Sequence, residues 1–187
     1  DFKDLYTNFN TTEEELEVFF KNLTDLQMKY QDNFVDKRVQ ITERISDAEW
    51  ANIVTISQEA YQKKLNKLEK KKQKDKDAFS KTRKSISEIA DQKSQDAVTA
   101  QLNSFSENVA AFESSMKNVN VLENDLLVKK SNSKEELLTL YQEMNEIRQK
   151  GFKNLIDFHS AVKSSLEQEQ GEEILSAFYK DISLAPM

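Results

Sequence analysis

VTAQLNSFSENVAAFESSMKNVNVLENDL, residues 98–126, sets apolar side chains at Val98, Leu102, Phe105, Val109, Phe112, Met116, Val119, Leu122 and Leu126, three or four residues apart. That spacing keeps one side of an α-helix apolar, while Asn, Ser and Glu fill the other side. A strand would need apolar and polar residues to alternate, and no stretch here does so. A helix this long, with so narrow a stripe, is stable in water only when the stripe is buried against other helices.

The flanking sequence supplies those helices. Downstream, Ser131-Asn132-Ser133 is a short polar connector, and Ser133 with Glu136 has the spacing of a capping box: the serine oxygen accepts from the third amide and the glutamate reaches back. A second stripe follows through Leu137, Tyr141, Met144, Ile147, Phe152, Leu155, Phe158, Val162 and Leu166. Gly151 lies on it and marks a point of close approach by a neighbouring helix. Upstream, Asp91-Gln92-Lys93-Ser94 reads as a turn. Before it, a long helix carries Val54, Tyr61, Leu65, Leu68, Phe79, Ile86 and Ile89 without Gly or Pro to break it. This seam turns polar at Lys72 and Asp75, where the helix leaves the core or packs loosely. Ser46 and Glu49 form another capping box at its start, and Thr12 and Glu15 open the first helix. That first helix buries Leu16, Phe19, Phe20, Leu23, Leu26, Tyr30, Phe34, Ile41 and Ile45.

The expected fold is therefore all-α: an elongated antiparallel bundle of three to four long helices, coiled-coil-like, in one domain over 1–187. Its helices run over about 12–45, 47–91, 95–130 and 134–169, with a short terminal piece at about 172–181. Short connectors favour antiparallel neighbours. Two glycines, one proline and 32% charged residues suit long helices, and a net charge of −6 with evenly spread apolar residues does not read as disorder.

The same composition narrows function. The chain has no cysteine, so disulfides, thiol catalysis and thiolate metal sites are out. His159 is the only histidine, and no acidic residue stands at the offset that would complete a Glu-x-x-His pair, so it reads as a seam-edge residue rather than a metal ligand. No phosphate-cradling loop or nucleophile elbow is present. No catalytic, cofactor-binding or metal-binding residue is expected. No apolar run reaches the roughly 18 to 20 residues that a membrane-spanning helix needs.

The one candidate site is basic. Lys63, Lys64, Lys67, Lys70, Lys71, Lys72, Lys74 and Lys76 fall within fourteen residues against Glu69 and Asp75, a local charge of 8 − 2 = +6. Such a run attracts polyanions through counterion release, a cell-wall polymer or an anionic lipid surface among them. It also reads as a solvated helix face balanced by acidic ends at Glu13–Glu17 and Glu167–Glu173. Nucleic acid is disfavoured, because the run lacks Arg and has no aromatic before Phe79.

From Lys67 onward the order of features carries a resemblance. A Lys/Glu-rich helix precedes Phe105 to Met116, then Val121-Leu122-Glu123-Asn124-Asp125-Leu126-Leu127. After the polar break come Glu135-Glu136-Leu137, Glu143-Met144-Asn145-Glu146-Ile147, Phe152 and Phe178-Tyr179-Lys180. This layout resembles the YkyA-type lipoproteins, assigned to cell-wall binding, of Gram-positive bacteria. The resemblance implies export, a lipid-modified cysteine just upstream of Asp1, and an extracytoplasmic place at the cell envelope. Gly151 and His159 depart from the family's last-helix pattern, and no functional residue carries over. The function expected is a non-enzymatic, envelope-associated binding or scaffold protein. The alternative is a cytosolic coiled-bundle adaptor that engages a helical protein partner.

Overall fold

The computed structural model describes residues 1–72 and 79–183, the side chains of Lys64 and of residues 68–72 excepted. Every regular element among them is a helix: α1 (Phe2–Thr7), α2 (Glu13–Thr42), α3 (Asp47–Lys72), α4 (Ser80–Ser87), α5 (Gln92–Val128), α6 (Lys134–Ser165) and α7 (Gln168–Ile182).

The helix starts lie where the local chemistry places them. Thr12 Oγ1 accepts from the Glu15 amide, and the Glu15 carboxylate takes the Thr12 amide in return. Ser46 with Glu49 and Ser133 with Glu136 repeat the device, and Asp91 caps α5 through the Ser94 amide. Each cap satisfies amides that the first turn leaves without a partner.

Helices α2 and α5 both pack on α6, and both run antiparallel to it. Phe105, Asn108 and Phe112 meet Phe158, Asn154 and Gly151 in turn, one number rising as the other falls. Phe20, Gln31 and Phe34 meet Phe152, Asn145 and Tyr141 likewise. The core has two parts. At one end, which we call the head, α1, α4 and α7 join the three long helices around Tyr6, Phe79, Phe105, Phe158 and Phe178. At the other end, the stem, the cluster among the described residues is drawn from α2, α5 and α6: Val35, Val119, Leu137, Leu140, Tyr141 and Met144. A polar layer crosses the stem: Asn145 Nδ2 donates to Gln31 Oε1 at 2.8 Å, and Arg148 Nη1 donates to Asn145 Oδ1 at 2.9 Å.

Several sequence expectations need correction. No helix was expected before Thr12, yet α1 stands on an Asp1–Asp4 capping box and drives Tyr6 into the head, its hydroxyl donating to the Leu155 carbonyl at 2.8 Å. Six residues are too few for periodicity to register. The helix expected over 47–91 is not continuous: Phe79 adopts a left-handed backbone, φ 66°, and a separate helix starts after it. Its buried ring stacks on Phe178 and meets Phe105 edge-on, so aromatic packing holds a backbone that a β-branched or bulky residue rarely takes. Phe79 cannot cap α4. Asp181 of α7 does so from outside, accepting from the Thr82 amide at 2.8 Å and hydroxyl at 2.7 Å. The terminal piece expected at 172–181 is the longer α7.

The side of α2 that is buried also differs. The structure buries Leu16, Phe20, Thr24, Gln31, Val35 and Arg38, and leaves Leu26, Tyr30, Phe34 and Ile41 open. Leu122 of the α5 stripe is likewise exposed. Gly151, by contrast, is the point of close approach: a Cβ built there comes within 3.2 Å of the Phe112 ring.

Candidate functional site

Helix α2 has an apolar side wider than one neighbour covers. At 100° per residue, Leu16, Phe20, Gln31, Val35 and Arg38 cluster in one direction, toward α6, and Phe19, Leu23, Leu26, Tyr30, Phe34 and Ile41 cluster about a quarter-turn away. The head covers the start of this second stripe: the Phe2 ring of α1 stacks on Phe19 at 5.5 Å. Beyond Leu23 the stripe is bare, with Leu26 64%, Tyr30 73% and Ile41 48% exposed, and Phe34 touches Tyr141 edge-on at its margin.

Helix α3 buries no described side chain. Trp50, Val54, Tyr61 and Leu65 are half-buried on one side, and the other described residues from 47 to 67 are exposed, Ile53 and Ile56 among them. Its first turn is nevertheless tied down. The Trp50 indole donates to the Val128 carbonyl at 2.9 Å, and Lys130 Nζ reaches both the Ile45 carbonyl and the Asp47 carboxylate at 2.7 Å.

Arg38 organises this stem tip. Its Nη2 donates to the carbonyls of Lys129 at 2.6 Å, Leu127 at 3.4 Å and Leu126 at 3.5 Å, and its guanidinium lies 5.1 Å from the centre of the Trp50 ring. A cation at the end of α5 meets the last carbonyls of the helix, of which that of Leu126 also accepts from the Lys129 amide and the Asn132 side chain, and the negative end of the helix dipole. Burial pulls the Arg38 pKa down; it stays charged, since arginine does not deprotonate in proteins. Two open concavities of about 610 and 630 Å³ lie at opposite ends, one beside α1 around Leu5 and Asn8, the other at the tip around Thr42, Asp47 and Lys130.

Of the predicted lysines, Lys63 and Lys67 are exposed on α3. Lys64, Lys70, Lys71 and Lys72 belong to the same helix with side chains outside the described set, and Lys74 and Lys76 lie outside the described residues. His159 is not at a seam edge: it is sealed in the head, its Nε2 3.3 Å from the Asn8 carbonyl and its ring edge-on to Tyr6. Burial lowers its pKa; the Asn8 carbonyl opposes the shift and nearby Lys163 adds to it. Among the described residues, no group of three or more His, Cys, Asp or Glu could hold a metal ion. No described helix is long and apolar enough to cross a membrane.

No protein family, curated protein or solved structure matches this chain. Sequence reasoning missed the open stripe because periodicity counts apolar positions without showing how many neighbours will cover them.

Proposed function

We propose that this chain is a non-enzymatic helical binding or scaffold protein that engages another helix lengthwise along its stem. The bare stripe on α2 from Leu26 to Ile41 carries this reading, since an apolar strip rimmed by polar residues is the usual docking surface for a helix. The elongated antiparallel bundle is part of the proposal. The exposed area of 12,094 Å² supports it, against about 9,200 Å² for a compact monomer of this mass. A photo-reactive residue at Tyr30 tests the function. A discrete crosslinked partner is expected from position 30 and not from exposed Glu107. The same products from both positions would remove the reading.

A place at the cell envelope is a second reading. The exposed lysines at 63 and 67 and the basic run they begin favour it, by attraction to a wall polymer or anionic lipid. Retention on purified wall and on anionic vesicles should fall in a Lys70/Lys71/Lys72/Lys74→Glu variant. Equal retention would reduce the run to a solvated helix face.

A further inference from the structure

The bare stripe of α2 has a feature that a generic helix-binding surface lacks: it is complementary to itself. We infer that its occupant is the α2 stripe of a second copy of this chain, laid antiparallel about a two-fold axis near Asn33 and Phe34; this rests on the stem-docking reading above and names its partner. Turning the sequence end for end about that point sets Leu26 against Ile41 and Tyr30 against Lys37, and brings the two Phe34 rings side by side. Lys37 lies in the stripe itself, where a partner's Tyr30 face suits its ammonium. On the outer flank Lys29 comes within two residues of the level of Asp36, which already holds Lys134 at 2.6 Å and which a lysine side chain can reach, and Asn33 lies beside its own copy next to the axis. Each contact between different residues occurs twice and each contact of a residue with its own copy lies on the axis, as an isologous interface requires.

The surroundings agree with this register. Phe2 of α1 already packs on Phe19, so a helix from this chain covers the stripe as far as the head, and the second copy continues that cover from Leu26. The contact runs along about 24 Å of helix at 1.5 Å per residue, which puts its area at the low end for specific interfaces. The dimer is therefore reversible and concentration-dependent. A parallel pairing would stack Lys29 on Lys29 and Lys37 on Lys37, and the repulsion disfavours it.

Single cysteines give a clean test, because the chain contains none of its own. Asn33→Cys places a thiol near the two-fold axis, whereas Asn22→Cys places it on the same exposed flank but roughly 35 Å from its copy. Both positions are exposed, so both variants should fold as wild type does. The expected result is a dimer in sedimentation equilibrium and a disulfide forming at least tenfold faster at position 33 than at 22. Leu26→Glu should abolish both. A monomer at every concentration, or equal rates at the two positions, overturns the dimer. Crosslinking from Tyr30 to a different protein by a monomeric chain would keep the binding function and discard the second copy, whereas absence of any partner at Tyr30 would discard both.

Discussion

Arg38 shows how one side chain can decide a junction. It is a buried cation whose compensation is the carbonyl end of α5, fanned beneath one nitrogen. Its Nε and Nη1 find no protein acceptor, so the site is costly as well as stabilising. Arg38→Met should lower stability by about 2–4 kcal/mol in urea unfolding, since the Lys129 and Leu127 carbonyls lose this donor. Arg38→Lys should recover only part of this, because an ammonium loses the flat guanidinium contact with the Trp50 ring. In the head, His159 links folding to pH. Its folded pKa lies below the ordinary 6.5, so above that pH both states are neutral and the residue is silent. As pH falls below 6.5 the unfolded chain takes a proton that the buried ring resists, and stability declines toward acid. His159→Gln should flatten this slope below pH 6.5, and an unchanged slope would assign the dependence to other groups. Gly171 lies directly beneath Phe9, and a Cβ there would collide with the ring. Gly171→Ala should cost about 1–3 kcal/mol through displacement of the N-terminal segment.

At the scale of elements, the helices divide by what anchors them. The capping boxes at Thr12, Ser46 and Ser133 are contained within four residues, so the sequence displays them completely. Ser133→Ala should cost about 1 kcal/mol, read as a fall in the unfolding midpoint at constant m-value. The start of α4 depends instead on Asp181, a hundred residues away, and no local pattern reveals it. Helix α3 is the converse case, with apolar residues at helical spacing and little for them to meet. Ile53→Glu and Ile56→Glu should each change stability by less than about 0.5 kcal/mol, whereas Leu175→Ala in the head should cost about 2–5 kcal/mol. A large loss at Ile56 would mean that α3 packs more firmly than its exposure indicates.

For the whole molecule, the two cores imply unequal resistance to opening. Among the described residues, six helices contribute to the head, with aromatic rings in mutual contact, whereas three contribute to the stem around a polar layer. Amide exchange should therefore be slower at Leu102 and Phe105 of α5 than around Val119 of the same helix. Equal protection along α5 would argue for a single cooperative unit. The antiparallel dimer proposed above bears on this difference, because its contacts lie on the stem and would raise protection there as concentration rises.

The sequence by itself determined the helical class, the three capping boxes and the close approach at Gly151, because caps and stripes depend on residues within a turn or two of each other. Only the tertiary structure decided that Phe79 breaks a helix, that Asp1 to Thr7 folds back over the head and that His159 is sealed inside. It also decided which side of α2 meets α6 and which is left bare. The physical reason is that a stripe specifies what must be covered, while the number and placement of neighbours specify what is; α2 carries more apolar surface than its neighbours cover.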